Sequence, residues 1–394
     1  MNLIFISDNY PPEQNALAQR ASSHIEIWKK KINIDLITCF PNYPYGKIFS
    51  GYKKKFFQKK IEKNLTIHRI WSFIAKKDNS FLNFFDYASF GISSFFYCLN
   101  KKSDIILCSS PPMPVAFFAI LLSKIKKTKI VIEIRDLWVD SIVDLKLTKN
   151  FFIISILKKM ENFVIKNSNL IICVTENMKL KIKKSFPKKR VLLRTNGYQE
   201  KKLKTKTFNH IFKHFKKNKS KINFTYLGTI GLSQDFDKIF NFCKKLDKSK
   251  FFFNFIGTGS EINSLKKKIR EEKLPNFYIF ELENPIIDKR IYDYVDYGLS
   301  SLKNIKTFKK VVPSKIYEYI FYKKKIIFFG PNGETSKLIQ KLNIGHVFTP
   351  RRKINRIQFN KKPKFKLNNQ IIKSFSRKLI AKKILNDLQK LKDE

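Results

Sequence analysis

The chain reads as an α/β protein built from two Rossmann-like halves, and three observations carry that reading. Short apolar runs alternate with amphipathic stretches along most of the 394 residues. The alternation restarts after an abrupt change of composition near residue 200, and glycine turns follow two successive strands of the second half. At this length, with 43% hydrophobic residues, two domains of roughly 150 to 200 residues are expected.

In the first half, residues 3–7, 34–39, 105–109, 129–134 and 170–174 read as strands, and 16–30, 81–99, 113–125 and 151–167 as helices. The opening run has no cationic leader and is too short for a signal peptide, so it reads as a buried first strand and the domain is expected to stay in the cytoplasm. Residues 81–99 carry only Asp86 as a charge, which is borderline for a membrane span. Asn83, Asp86, Ser89, Ser93 and Ser94 recur at spacings of three or four, however, and this polar stripe predicts a packed or interfacial helix. Pro111-Pro112-Met113-Pro114 marks a strand-to-helix turn.

Residues 201–221 contain nine lysines, with Phe208, Ile211, Phe212 and Phe215 at helical spacing, and predict a linker running into a basic amphipathic helix. Strands are then expected at 224–227, 251–256, 277–280, 297–300, 325–329 and 346–348. A basic irregular stretch over 349–368 precedes a closing helix at about 370–391, with Ile371, Phe375, Leu379, Ile384 and Leu388 along one face. The division is therefore 1–200, 201–368 and a terminal 369–394.

The net charge of +49 has three competing sources: nucleic acid, an anionic membrane surface and codon bias. Of 80 basic residues only 11 are Arg, the residue that reads phosphates and guanine bidentately, so charge alone gives no case for a specific nucleic-acid partner. The five cysteines have no C-x-x-C spacing and sit mostly in apolar runs, as reduced, buried thiols do. Asp235-Phe236-Asp237 mimics a metal-binding D-x-D, but its place at a helix start suits the helix dipole, and no metal is expected. His210 and His214, at i, i+4 spacing, have no acidic third ligand near in sequence and read as surface residues of a basic helix.

Two glycine turns, Gly228-Thr229-Ile230-Gly231 and Gly257-Thr258-Gly259, follow successive strands, where backbone can approach an anion closely. A third element is Val312-Pro313-Ser314-Lys315-Ile316-Tyr317-Glu318. Ser314 would cap a helix whose free N–H groups, with Lys315, face a diphosphate, and Glu318 one turn on would accept from ribose hydroxyls.

In order and spacing these elements resemble the donor-binding half of the family 4 glycosyltransferases, in the WbuB-like, fucosamine-transferase-like branch that assembles bacterial surface polysaccharides. The resemblance spans nearly the whole chain, through Asp8-Asn9-Tyr10-Pro11-Pro12-Glu13, Pro41-Asn42-Tyr43-Pro44-Tyr45-Gly46-Lys47, Glu133-Ile134-Arg135-Asp136-Leu137-Trp138, Thr195-Asn196-Gly197 and Gly333-Glu334. It implies the GT-B fold, two Rossmann-like domains facing across a cleft, with the last helix crossing back to the first domain. It further implies a retaining, metal-independent hexosyltransferase with no cofactor. The donor would be a nucleotide-sugar, UDP-linked, and the acceptor a lipid-linked glycan at the inner face of the plasma membrane.

Residue by residue, Glu318 matches the second Glu of the family's E-x-seven-E motif, while the first falls on Lys310. Arg135-Asp136 stands where many members carry a catalytic His-Asp pair. Gly228, Gly231, Gly257, Gly259, Ser314 and Lys315 complete the donor set, and Ser233-Gln234 replaces the usual basic diphosphate pair, leaving more of the charge to Lys315 and backbone amides. Tyr10, Glu13 and Arg20 are the acceptor candidates; for Arg20 a surface cation is the competing reading. Two other functions remain open at this stage: a nucleotide-sugar epimerase on the same fold and a basic nucleic-acid-binding protein.

Overall fold

The computed structural model describes residues 1–394 apart from 14, 44–45, 53–54, 76–79, 145–147, 149, 200–208, 283–288 and 350–357. It forms two compact units, Met1–Asn196 with Arg377–Glu394, and Gly197–Ser376. The predicted junction at 200–201, Phe208 and the Pro44-Tyr45 pair lie outside the described residues.

The first unit runs β1 (Asn2–Ile6), α1 (Ala16–Trp28), β2 (Asn33–Cys39), β3 (Phe57–Glu62), β4 (Leu65–Ile70), α2 (Ser80–Cys98) and β5 (Ile105–Ser110). It continues with α3 (Met113–Lys126), β6 (Lys129–Ile134), α4 (Trp138–Asp144), α5 (Phe151–Asn167), β7 (Leu170–Cys173), α6 (Glu176–Ser185) and β8 (Val191–Leu193). Among the described residues the strand order is β3-β4-β2-β1-β5-β6-β7-β8, with β3 antiparallel to β4 and the other neighbours parallel. Order reverses between β1 and β5, which makes their carboxyl ends the switch point of the sheet.

The central strands are apolar throughout because helices cover both faces. Alternate residues serve the two cores: Ile4, Ile6, Ile106 and Ile132 on one side, Leu3, Phe5, Leu107 and Val131 on the other. Asn15, Asn150 and Thr175 start α1, α5 and α6 by accepting N–H groups of the first turn. Strand β3 escaped the sequence reading because its residues are mostly exposed and charged, as suits a sheet edge.

Helix α2 inverts the usual arrangement of an amphipathic helix. Its polar stripe faces the protein: Asp86 and Ser94 are buried, Asp86 accepts the Ala75 N–H at 3.3 Å, and Ser89 Oγ accepts the Phe73 N–H at 2.8 Å. Leu82, Phe85, Ile92 and Phe96 are exposed. Among the described residues no helix is long and apolar enough to cross a membrane.

The second unit comprises α7 (Asn209–Lys217), β9 (Ile222–Leu227), α8 (Phe236–Cys243), β10 (Phe251–Gly257), α9 (Ile262–Glu271), β11 (Phe277–Glu281) and β12 (Tyr297–Ser301). Helix α10 (Ser314–Phe321), β13 (Lys325–Phe329), α11 (Glu334–Lys341), β14 (Gly345–Phe348) and α12 (Asn369–Ser374) follow. Its sheet, β11-β10-β9-β12-β13-β14 among the described residues, is parallel throughout and places the switch point between β9 and β12. This is the doubly wound α/β architecture expected, present twice.

The single closing helix expected from the sequence is two helices, α12 and then α13 (Arg377–Asp393). The break falls at Phe375-Ser376, where the Phe375 carbonyl accepts the Tyr198 N–H at 2.9 Å and Ser376 bridges to Tyr198. The interruption resets the helical phase, so Ile372, Ile380, Ile384 and Leu388 are buried while Ile371 and Leu379 are exposed. Helix α13 belongs to the first unit and packs on α1, where Trp28 Nε1 donates to the Ala381 carbonyl at 2.8 Å. Arg194 grips Asp387 through two bonds of 2.8 Å.

Candidate functional site

In the second unit the turn after β9 and the turn after β10 are packed backbone to backbone. A Cβ on Gly257 would fall 1.9 Å from the Gly228 carbonyl oxygen, and one on Gly259 would fall 2.1 Å from that of Ile230. Gly228 and Gly259 also have φ of +111° and +152°, which side-chain-bearing residues rarely adopt. These glycines therefore serve the contact between two turns. Several amides expected to cradle phosphate are occupied: Gly228 N–H donates to Ile256 O and Ile230 N–H to Thr258 O, each at 2.9 Å, and Gly231 N–H to Gln234 Oε1 at 3.0 Å.

The cation stands apart from that backbone. Lys315 lies in the first turn of α10 against Gly228, and its Nζ is 3.3 Å from the centroid of the Tyr226 ring. Burial holds its pKa well below the ordinary lysine range, with the Glu318 charge opposing. Among the described residues no carboxylate forms an ion pair with it. Tyr226 is itself fixed by donating its hydroxyl to the Thr229 carbonyl at 2.6 Å. Ser314 departs from expectation: Pro313 takes the cap position, Ser314 is the first helical residue, and no side chain caps α10. Pro313 itself has extended backbone, with φ of −59° and ψ of 141°, so it takes the cap position and the helix begins one residue earlier than a Ser314 cap would place it.

One turn along α10, Glu318 Oε2 accepts the hydroxyl of Tyr292 at 2.6 Å. Tyr292 sits in the 3-10 turn Lys289–Tyr294 and stacks on Tyr322, centroids 4.0 Å apart and planes 7° from parallel. Burial, then the Glu318 charge, raises the Tyr292 phenol far above its usual value, so it stays a donor. Tyr226 and Tyr292 were not singled out by sequence reasoning. Tyr226 is legible as the residue two before a strand-ending glycine; Tyr292 reaches Glu318 from 26 positions away with no local signal.

The D-x-D pair is structural. Asp235 caps α8 by accepting the Lys238 N–H at 3.2 Å, and Asp237 pairs with Lys268. Among the described residues no group of three or more His, Cys, Asp or Glu side chains could hold a metal ion. His214 is not on the surface as expected: it is half-buried against Tyr278 and Phe280, with Nε2 3.0 Å from Asn254 Oδ1.

In the first unit the charged candidates sit at the carboxyl ends of β1 and β6, and most are tied to one another. Arg20 is buried, which removes the surface reading, and its Nη2 lies 2.8 Å from Glu133 Oε1. Its Nε also donates to Glu133, Nη1 reaches Thr195 O and Asn196, and Nη2 reaches Arg194 O. With acceptors for all five N–H groups, it is an internal clamp and has nothing left for an acceptor substrate. Burial pushes the Glu133 carboxyl up, but Arg20, His24 and Arg135 outweigh that and hold it at about 2.

Glu13 is likewise enclosed. It accepts N–H groups of Tyr10 at 3.2 Å, Asn42 at 2.9 Å and Tyr43 at 2.8 Å, pinning the loop after β1 to the loop after β2. Tyr10 is buried beside it. Arg135 donates from Nη2 to Pro111 O at 3.4 Å, and its buried Nε has no partner among the described residues. Burial lowers its pKa, against the fields of Glu133 and Asp8. Asp136 accepts the Ser141 hydroxyl at 3.0 Å.

No protein-family model matches the sequence. No curated protein matches it either. Solved structures do match along most of their length. Sucrose-phosphate synthase from Thermosynechococcus elongatus superposes with a TM-score of 0.63 over 89% of this chain and 86% of that one, at 8% identity. Anabaena HepE in complex with UDP gives 0.62 over 99% and 100%, at 10% identity. WaaG, a glycosyltransferase involved in lipopolysaccharide biosynthesis, gives 0.60 over 100% and 90%, at 9% identity. Identities this low make the likeness one of fold: the chain has the two-Rossmann-domain GT-B architecture that these proteins share.

Proposed function

We propose that this chain is a retaining glycosyltransferase that moves a sugar from a UDP-linked donor to a hydroxyl of a lipid-linked glycan, in the assembly of a bacterial surface polysaccharide. The observation that carries the reading is Lys315: its ammonium group held over an aromatic face at the switch point of the second unit, with no carboxylate paired to it among the described residues. Proteins of similar fold point the same way, since HepE is in complex with UDP and WaaG is a glycosyltransferase involved in lipopolysaccharide biosynthesis.

On this reading the second unit holds the donor. Lys315 and the uncapped start of α10 by Ser314 neutralise the diphosphate, and the loops of Gly228, Gly231, Gly257 and Gly259 shape its bed. Glu318, held by Tyr292, accepts from the ribose hydroxyls. The first unit holds the acceptor, its loops set by Tyr10 and Glu13. The acceptor oxygen bonds to the anomeric carbon on the face from which the diphosphate departs, the bond to the diphosphate breaks, and the departing oxygen takes the acceptor proton. Arg135 and Asp136 act beside the transferred sugar, the guanidinium through electrostatic stabilisation and the carboxylate through positioning.

The outward aromatic face of α2, aided by the chain's net charge of +49, associates peripherally with an anionic membrane. Flotation with anionic and neutral liposomes checks this, and equal recovery would remove the electrostatic part. Calorimetric titration of UDP is the primary test. Glu318→Gln keeps the shape and loses a charged acceptor, which typically costs about 1.5 to 3 kcal/mol, so affinity falls roughly tenfold to a hundredfold. Equal affinities in folded wild type and variant defeat the assignment. Turnover of the donor to an epimer without any acceptor would favour an epimerase.

A further inference from the structure

Three helices of the first unit leave apolar side chains in water at one place. The first half of α2 exposes Leu82 and Phe85, the end of α4 exposes Val143, and the start of α5 exposes Phe151, Phe152 and Ile156. Beneath them Phe84 of α2 packs against one small cluster that holds Ile142 of α4 and Leu157 of α5, so the exposed groups belong to a single patch.

Topology fixes where the patch lies. Helices α2 and α5 each run into a strand of the parallel part of the sheet, β5 and β7, so both begin at its carboxyl end. Helix α4 follows β6 directly, with Arg135 and Asp136 in the turn. Phe151 and Phe152 are 82% and 72% exposed. Asn150 Oδ1 accepts the N–H groups of Phe152 at 2.9 Å and Ile153 at 3.3 Å, so α5 starts there and its first turn carries both rings.

Further along α5 the outward side turns basic, with Lys158, Lys159 and Lys166 exposed. At 1.5 Å of rise per residue Lys159 stands about 10 Å behind Phe152, comparable with the depth to which interfacial apolar groups sink. The chain's net charge of +49 complements anionic headgroups, and Asp140 of α4 is already paired with Lys181 at 2.5 Å. Helices α2 and α5 cover the same face of the sheet. A unit lying flat along α2 would therefore drive these lysines towards the acyl chains together with Ile92 and Phe96, whereas one standing on its carboxyl end leaves them among the headgroups.

We infer that the first unit meets an anionic bilayer end-on, with Phe151 and Phe152 inserted at the acyl boundary and Lys158 and Lys159 at the headgroups. The inference rests on the membrane association proposed above and fixes which part of the unit makes it. Arg135 and Asp136 then face the headgroup layer, where the hydroxyl of a lipid-linked acceptor lies.

Flotation of the full chain with vesicles of phosphatidylglycerol and phosphatidylcholine in equal parts tests this. Phe151→Ser combined with Phe152→Ser lowers the partition coefficient at least about tenfold, because two rings leave the acyl boundary. Ile92→Ser combined with Phe96→Ser, at the far end of α2, changes it by less than about threefold. Lys158→Gln combined with Lys159→Gln lowers it roughly tenfold on these vesicles and leaves partition to pure phosphatidylcholine unchanged. All these residues are exposed, so melting temperatures should match wild type and keep the comparison among folded chains. A loss from the Ile92 and Phe96 pair equal to or greater than that from Phe151 and Phe152 overturns the end-on contact and leaves association along α2 standing. A wild type that binds no vesicles overturns both, and UDP titration then judges the donor reading by itself. A wild-type dimer in gel filtration that the Phe151 and Phe152 variant dissolves, without vesicle binding by either, assigns the patch to a second copy of the chain and also overturns the inference.

Discussion

The two units present the same topological feature, a switch point at the carboxyl end of a parallel sheet, and use charge there in opposite ways. In the first, Arg20 and Glu133 are buried together and Glu13 is enclosed by three amides, so these charges hold loops and strands to one another. In the second, Lys315 rests on the Tyr226 ring with no paired carboxylate among the described residues, and the Gly228, Ile230 and Gly231 amides beside it already have acceptors. A charge that is paired inside the fold contributes to the fold. One held out of water without a counter-ion raises the energy of the empty site, and a bound anion relieves it.

The largest expected effect separates these roles. Arg20→Met leaves Glu133 buried without its partner, which costs about 3 to 5 kcal/mol of stability. Glu133 adds a pH signature: its folded pKa of about 2 lies below the ordinary glutamate value. Its contribution is complete above that ordinary value and is lost as pH falls towards 2. Chemical denaturation of wild type and variant across this window should show the stability gap closing with acidification. UDP affinity of the folded variant should stay within about twofold of wild type, since the proposed donor site lies in the other unit. A large loss of UDP affinity at full folding would erase the distinction between the units.

Lys315→Met sharpens the comparison from the other side. UDP affinity is expected to fall by about 2 to 3 kcal/mol, thirtyfold or more, because a charge-assisted bond to the diphosphate is lost. Stability should stay level or rise by about 1 kcal/mol, since an apolar chain of similar length replaces a desolvated cation over Tyr226. Thermal melting without ligand checks the second half: a marked destabilisation would make Lys315 a structural group like Arg20.

The fold was legible because its signals are local. Strands such as β1, β5, β6 and β13 are apolar runs of the right length, and the helices between them are periodic. The presence of a second α/β sheet was readable from the restart of that rhythm. Charge partnership was not, because it depends on distances that spacing does not encode. Arg20 meets Glu133 across 113 positions and the 194–196 segment across 174 to 176, so a reading of α1 alone offered only a surface cation or a ligand contact. The α2 stripe shows the same limit: its period was plain, yet only the 72–75 segment reveals that the polar side is the inner one.

A smaller effect tests the electrostatics of Lys315 without removing it. Burial depresses its pKa in the free protein, and a diphosphate beside the ammonium raises it again. Binding is then coupled to proton uptake. UDP affinity is highest where Lys315 is already protonated, falls as pH rises through the free-protein value, and levels off above the value in the complex. The steepest slope is about tenfold, or 1.4 kcal/mol, per pH unit. Calorimetry in buffers of different ionisation enthalpy, above pH 7 where the nucleotide is fully ionised, measures the uptake directly. Lys315→Arg keeps a cation that does not titrate, so it should flatten the profile. An unchanged slope in that variant would assign the proton to another group.

The smallest expected effect concerns the support of Glu318. Tyr292→Phe removes the hydroxyl that donates to Glu318 Oε2 at 2.6 Å but keeps the ring stacked on Tyr322. If Tyr292 positions the carboxylate for ribose, the variant loses about 1 kcal/mol of UDP affinity, roughly fivefold, while the buried packing stays intact. A purely structural bond predicts the reverse pattern, with stability lower by a similar amount and affinity unchanged. The double variant Tyr292→Phe with Glu318→Gln decides between them. Positioning makes the two losses less than additive, because the tyrosine has no role once the carboxylate is gone, whereas independent contributions sum. Strict additivity would detach Tyr292 from the proposed donor site.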